Sequence, residues 1–322
     1  MTQQFLEVQK DFAQEILEGL QQTPKRLPSK YFYNAEGDRL FQKIMKLDEY
    51  YLTRAEHQII QDNKAEILRS FLGKDENFRL IELGAGDGTK TGTLLRYFVD
   101  VKTNFIYSPI DISENVLIQL ENKLKHAIPN LKVDPIQGDY FKALAELNDN
   151  HYTKEVVMFL GSTIGNFGIE AGKRFLKELG ENLTSGDLLF IGFDLMKDPR
   201  TILAAYDDKE GVTRDFNLNL LKRINEELGG NFDADKFQHY PTYDPISGET
   251  RSYLISREPQ TVILEAIDYS FDLKQWEPIH TEVSHKYSFE AIEQMAEHAG
   301  FKILRHFTDD EDMFVDSLWE RI

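Results

Sequence analysis

The 322-residue chain has no cysteine, which excludes disulfide staples, thiolate catalysis and cysteine-ligated metal, and no metal site is expected. Nor does it contain an apolar run near the roughly 20 residues that a bilayer-spanning helix needs, so no membrane partner is expected. Met1 to Leu20 mixes Gln, Glu, Lys and Asp with apolar residues and lacks the apolar core of a secretory leader. A cytoplasmic location is therefore expected. Positive charge is in short supply: 37 Lys and Arg face 55 Asp and Glu, a net charge of −18. That balance repels a phosphate backbone and excludes nucleic acid as the main substrate. Internal repeats and low-complexity segments are also missing, and the acidic run Asp309 to Asp312 reads as a solvated loop.

What remains is an ordinary globular composition, 41% hydrophobic and 29% charged, with room for one large domain or two entwined ones. From Phe78 the pattern is strand, glycine loop, helix, strand, repeated. This is the signature of an α/β fold, an open and doubly wound parallel sheet with helices on both faces. Strands are predicted at Arg79–Leu83, Phe105–Ile110, Lys132–Ile136, Glu155–Leu160 and Leu188–Phe193, with helices between them, such as Glu114–Ala127 and Ile169–Leu183. After Asp194 the rhythm changes. Residues 201–230 have helical spacing, and Phe232–His285 alternates apolar and polar residues around turns such as Asp244-Pro245 and Ser247-Gly248, as antiparallel strands do. The first pattern returns as a helix at Phe289–Ala299 and strands at Phe301–Phe307 and Met313–Glu320. The resulting division is 55–194 with 286–322 as the sheet domain, and 1–54 with 195–285 as a second, α+β domain.

The segment Ile81-Glu82-Leu83-Gly84-Ala85-Gly86-Asp87-Gly88-Thr89 puts three glycines directly after a strand and before a helix, where backbone must approach a ligand closely. It resembles motif I of class I methyltransferases, an acidic residue followed by Gly-x-Gly-x-Gly. A dinucleotide fingerprint would have its third glycine where Thr89 stands, so an NAD dehydrogenase fits less well. Asp111 ends the second strand, where a carboxylate can accept from both ribose hydroxyls. Asp139, after the third strand, is placed to receive an adenine amino group. The bland alternatives are a structural turn for the glycines and helix capping for the carboxylates.

Phe159-Leu160-Gly161-Ser162-Thr163-Ile164-Gly165-Asn166-Phe167 follows the fourth strand. Together with Lys30-Tyr31-Phe32-Tyr33, Leu47-Asp48-Glu49-Tyr50-Tyr51-Leu52-Thr53-Arg54 and Thr281-Glu282-Val283-Ser284, it resembles the L-histidine Nα-methyltransferases of the ergothioneine pathway, over essentially the whole chain. The resemblance implies a class I S-adenosylmethionine-dependent methyltransferase domain (a Rossmann-like doubly wound sheet) and a second α+β domain, with the substrate held between them. It implies that Tyr50, Gly84, Gly86, Lys90, Asp111, Asp139 and Tyr140 bind S-adenosylmethionine. Tyr33, Phe41, Gly161, Asn166, Tyr206, Thr213, Phe216, Ser252, Glu282 and Ser284 would line the amino-acid site. Asn166 and Tyr206 would orient the α-amino and α-carboxylate groups, Tyr50 would sit near the transferring methyl, and Glu282 and Ser284 would hold the imidazole. Tyr50 and Asn166 are the catalytic candidates.

Residue chemistry is consistent with these roles. An asparagine amide has two donors and an acceptor, and residues two apart on a strand share a face, so Glu282 and Ser284 can converge on one ring. Packing remains the ordinary role of aromatic residues such as Phe41, Tyr140 and Phe216, and Asn166 could instead cap a turn. One departure stands out: the family commonly has methionine where this chain has Ser252. The acceptor nitrogen must present a lone pair. A sulfonium about 4 Å away, at an effective dielectric near 20, opposes the protonated amine by roughly 4 kcal/mol, so no strong protein base is needed. Tyr50 could pass the proton to solvent. The expected activity is Nα-methylation of free L-histidine to trimethylhistidine (hercynine) by a monomer. The alternatives are the same chemistry on tryptophan or a thiol-substituted histidine, and a non-catalytic amino-acid- or cofactor-binding protein.

Overall fold

The computed structural model describes residues 3–74, 77–86, 88, 90–112, 114–147 and 154–322. They divide into two compact units, 52–196 with 285–322 and 1–51 with 197–284. Among the described residues no helix is long and apolar enough to cross a membrane.

The first unit is built on a seven-stranded sheet. Its strands are β1 (Asn77–Leu83), β2 (Asn104–Asp111), β3 (Ile136–Gln137), β4 (Glu155–Phe159), β5 (Leu188–Asp194), β6 (Phe301–Thr308) and β7 (Phe314–Arg321). The spatial order is β6-β7-β5-β4-β1-β2-β3. β1 to β5 run parallel, while β7 is antiparallel to both β5 and β6. β1, β4 and β5 are almost continuously buried, as strands covered on both faces must be. Their side chains join those of helices Ile169–Glu181 and Phe289–His298 in one core around Val157, Phe159, Leu176, Ile191, Ile292 and Trp319. The strand order reverses between β1 and β4, with β2 on one side of β1 and β4 on the other. Such a switch point opens a crevice at the carboxyl ends of the strands.

The sheet bears out the α/β expectation, with one strand shortened. The predicted Lys132–Ile136 strand is reduced to the two-residue β3 and an isolated bridge between Val133 and Tyr107. The terminal hairpin forms one residue beyond its expected ends, at Thr308 and Arg321.

The second unit contains a four-stranded sheet in the order Lys25–Arg26, Pro278–His285, Glu249–Ser256, Phe237–Asp244, and the hairpin Gln260–Leu264/Tyr269–Leu273. The outer pairing of Lys25–Arg26 with Ile279–His280 is parallel, which the antiparallel reading of this region did not anticipate. The single helical stretch expected over 201–230 is two helices, Pro199–Ala204 and Val212–Leu228. The interruption has a local cause. The Asp208 carboxylate accepts from the Val212 and Thr213 N–H groups (2.8 and 2.7 Å), satisfying donors that a new helix would leave unpaired. The longer helix ends at Gly229, whose positive φ of 62° suits a left-handed cap. Its buried face, with Phe216, Leu220, Leu221 and Ile224, packs with Phe12, Phe32 and Leu254 in the core of this unit.

Candidate active site

In the sheet unit, the carboxyl ends of β1, β2 and β3 carry Gly84, Gly86, Lys90, Asp111, Asp139 and Tyr140, while Tyr50 belongs to the second unit. After Leu83 the chain turns through Gly84 and Gly86, both exposed and with positive φ (69° and 55°). Asp87 and Thr89 of the same loop lie outside the described residues. At Gly84 a Cβ would lie 3.0 Å from the Tyr140 hydroxyl, so a side chain there would have to push the phenol aside. The Tyr140 phenol is pushed up to about 12 by burial and by the carboxylates of Asp111 and Asp139, so these three residues share one neighbourhood. Asp111 is half-buried at the end of β2, and its carbonyl accepts from Gly138 N (3.0 Å). Asp139 is exposed and caps helix Tyr140–Leu147, its Oδ1 accepting from Phe141 N (3.1 Å) and Lys142 N (3.4 Å). The capping alternative therefore holds for that oxygen.

Beneath the glycine loop, Glu82 is buried and receives hydrogen bonds from Thr91 Oγ1 (2.5 Å) and from the Tyr107 hydroxyl. Burial lifts its carboxyl to about 7 despite those two donors and Lys90. Lys90 forms an ion pair with Glu56 (2.5 Å), and a second oxygen of Glu56 accepts from Gly161 N (2.5 Å). Burial opposes the charge on Lys90, but Glu56 outweighs it and raises the ammonium's pKa.

The segment after β4 is fastened along its length. Gly161 and Ser162 have positive φ (78° and 53°), and Ser162 Oγ accepts from Asp194 N (2.9 Å). The Tyr287 hydroxyl donates to Ile164 O (3.3 Å), and Phe167 packs against Phe175 at 4.9 Å. Asn166 emerges exposed from this short 3-10 segment. It caps no helix, since the next one starts at Ile169 behind Gly168.

In the second unit four expected site residues form an aromatic cluster. Ring centroids of Tyr33 and Phe41 are 5.6 Å apart, Tyr33 and Phe216 5.7 Å, Phe41 and Phe216 5.9 Å, and Phe41 and Tyr50 6.2 Å. Tyr33 is 46% exposed. Its hydroxyl is nevertheless crowded by protein, and this burial, followed by Glu282, Asp38 and Tyr206, raises its pKa well above the usual phenol range. Tyr206 and Thr213 are buried, and Glu282 is half-buried with Oε2 accepting from Ser252 Oγ (3.2 Å). Ser284 lies buried two residues along the same strand.

The helix Val212–Leu228 sets the frame of this cluster. Asn219 Nδ2 donates to Asn34 Oδ1 (2.8 Å), which also caps helix Ala35–Ile44 through Gly37 N, and Arg223 donates to the Tyr31 carbonyl (3.0 Å). Both bonds hold the turn that carries Tyr33. Asn217, fully buried, donates to Thr213 O (3.1 Å), which orients its amide so that Oδ1 accepts from Thr281 Oγ1 (2.8 Å), next to Glu282. Sequence reasoning missed Asn217 and Glu56. Glu56 had a usable signal, a charged residue on the apolar stripe of Leu52, Ile59, Ile60 and Ile67.

Comparison with known proteins gives the family. Residues 12–321 match the family described as histidine-specific methyltransferase, SAM-dependent. The chain is 36% identical to a histidine N-alpha-methyltransferase of Mycolicibacterium smegmatis and 34% identical to one of Mycobacterium tuberculosis. Each alignment covers 94% of this chain and 93% of the relative. It is 30% identical to ergothioneine biosynthesis protein 1 of Schizosaccharomyces pombe, over 94% of this chain and 40% of that protein. The chain thus belongs to the family of S-adenosylmethionine-dependent, histidine-specific methyltransferases.

Proposed function

We propose that this protein methylates the α-amino nitrogen of free L-histidine three times in succession, giving trimethylhistidine, and that the residues assembled in each unit divide the work. The observation that carries the proposal is the cluster of Tyr33, Phe41 and Phe216 with the Ser252-held carboxylate of Glu282. It combines aromatic faces with one oriented acceptor.

In the sheet unit the residues fit the donor: glycines at Gly84 and Gly86 let backbone come close, and carboxylates end β2 and follow β3. Bound S-adenosylmethionine supplies the electrophilic methyl group on a sulfonium. Asp111 would accept from the ribose hydroxyls, Asp139 from the adenine amino group, and Tyr140 would cover the Gly84 turn, with Lys90 completing the set. Asn166 would engage the acceptor amine, and Tyr206 the carboxylate.

In the second unit Glu282 would accept from the imidazole N–H, with Ser284 beside it, while Thr213 and Phe216 flank the ring. A half-buried carboxylate facing the ring favours one that carries an N–H over a bare aromatic one, because the N–H replaces hydrogen bonds to water that the bare ring would displace. Tyr33, Phe41 and Tyr50 present faces that attract a cation, which favours the amine as it becomes quaternary. The phenols of Tyr33 and Tyr140 stay neutral at physiological pH, because their pKa values are raised. Tyr50 would pass the amine proton to solvent. The enzyme would act in the cytoplasm, where donor and free amino acid are both present, and as a monomer.

Mass spectrometry of histidine incubated with the protein and S-adenosylmethionine tests the reading. Products carrying one, two and then three methyl groups are expected. Methylation of tryptophan in preference to histidine, or binding of both ligands without product, would refute it.

A further inference from the structure

Glu56 is 1% exposed on helix Tyr51–Leu72. Its two oxygens go to different places: Oε2 accepts from Lys90 Nζ and Oε1 from Gly161 N, each at 2.5 Å. Lys90 follows the glycine loop, and Gly161 heads the segment that ends in Asn166. The same two residues also approach each other directly, since a Cβ on Gly161 would lie 2.9 Å from Lys90 Nζ. Space for the carboxylate is made by a glycine in the sheet: a Cβ on Gly192 of β5 would lie 2.7 Å from Glu56 Oε1 and 3.1 Å from Asp316 Oδ1.

Asp316, on β7, is fully buried, and neither of its oxygens has a hydrogen-bond partner among the described residues. Burial first, and then the charge of Glu56, holds its carboxyl well above the usual range against the pull of Lys90. Its surroundings therefore favour the neutral carboxyl over the carboxylate. Glu82 is likewise lifted to about 7, and Glu56 and Lys90 form the ion pair of the cluster. Because the Glu56 side of the pair is buried, removing Lys90 alone, which strands that carboxylate, costs more than removing both.

We propose that Glu56 is a positioning residue for methyl transfer, a single carboxylate that fixes the Lys90 ammonium and the Gly161 backbone as one piece. The inference rests on the reading above that Lys90 serves the donor and the Asn166 segment the acceptor. Displacement of either group then misplaces the other, and the reaction loses alignment on both sides at once.

The test compares Glu56→Gln, Lys90→Met and the double variant in the full chain, by steady-state kinetics with S-adenosylmethionine and histidine and by calorimetric titration with S-adenosylhomocysteine. In Glu56→Gln the amide oxygen can still accept from Gly161 N, but its NH2 meets the Lys90 ammonium donor to donor. The expected result is a kcat lowered by about tenfold or more, with KM raised for both substrates. The double variant is expected to be no worse than the worse single variant, because the two residues act together. A lowered melting temperature with both KM values and kcat at wild-type levels would overturn the proposal, and so would independent, multiplying effects of the two substitutions. If Glu56→Gln does not fold, the double variant, which leaves no lone buried charge, is read in its place: a raised histidine KM supports the tie and an unchanged one overturns it. If Lys90→Met leaves S-adenosylhomocysteine affinity unchanged, the donor role of Lys90 is what fails, and the histidine KM of Glu56→Gln then decides the tie to Gly161.

Discussion

The Ser252 hydroxyl donates to Glu282 Oε2 across 3.2 Å, linking neighbouring strands of the second unit, and the serine is fully buried. This bond orients the carboxylate proposed to receive the imidazole. Ser252→Ala is expected to raise histidine KM by about fivefold with kcat nearly unchanged, the equivalent of one hydrogen bond worth ~1 kcal/mol. Glu282→Ala removes the acceptor itself and is expected to lower kcat/KM for histidine by roughly 1–3 kcal/mol, while S-adenosylhomocysteine affinity holds. Unchanged histidine kinetics in Glu282→Ala would remove it from the ring site.

Gly84 and Tyr140 form a contact that a single methyl group would disturb. Gly84→Ala adds a Cβ 3.0 Å from the phenol oxygen at a φ of 69°. It is expected to cost about 1–2 kcal/mol in stability from the left-handed backbone alone, and to weaken cofactor binding as well. Tyr140→Phe in the same chain removes the crowding oxygen and should restore part of the affinity but none of the backbone cost. Calorimetry with S-adenosylhomocysteine and thermal unfolding separate the two contributions.

Asn217 joins helix Val212–Leu228 to the strand of Glu282, through Thr213 O and Thr281 Oγ1. In Asn217→Ala, Thr281 keeps an alternative acceptor in Ser252 O at 3.1 Å, so the predicted loss is moderate, about 1–2 kcal/mol by urea unfolding. Asn217→Asp keeps the acceptor but buries a charge, and should cost more. Histidine KM is expected to rise in both variants; a KM that stays at the wild-type value would separate the network from the ring site.

Glu82 makes stability depend on pH with a definite sign. Its carboxyl titrates at about 7 in the fold, against 4.5 for the unfolded chain. Between these values the folded state holds the extra proton, so its contribution to stability is lost as pH rises from about 4.5 through 7. Glu82→Gln removes the titration. The stability difference between variant and wild type should shift in the variant's favour by on the order of 3 kcal/mol between pH 4 and pH 8. A difference independent of pH would show that Glu82 titrates normally.

Much of the sheet was legible from local pattern. The runs at Arg79–Leu83, Glu155–Leu160 and Leu188–Phe193 are short, apolar and ended by Gly or Asp, and each became a strand. Lys132–Ile136 was less legible because β2 pairs with it only at its two ends, Tyr107 with Val133 and Ile110 with Ile136. The break before Val212 was missed because Asp207-Asp208-Lys209-Glu210 is as compatible with a helix as with a cap. The Asp208 carboxylate settles the matter by bonding two backbone donors.

The sequence alone determined the alternation of strands and helices, the glycine loop after β1 and the kinship that points to histidine, since periodicity, turn chemistry and motif spacing are properties of short windows. Only the tertiary structure decided that Glu56 meets Gly161, 105 residues away, that Ser252 meets Glu282, and that Lys25 pairs in parallel with Ile279. Such choices depend on which distant groups are left close together, dry and without water as a partner once the cores have packed, and no local window of residues carries that information.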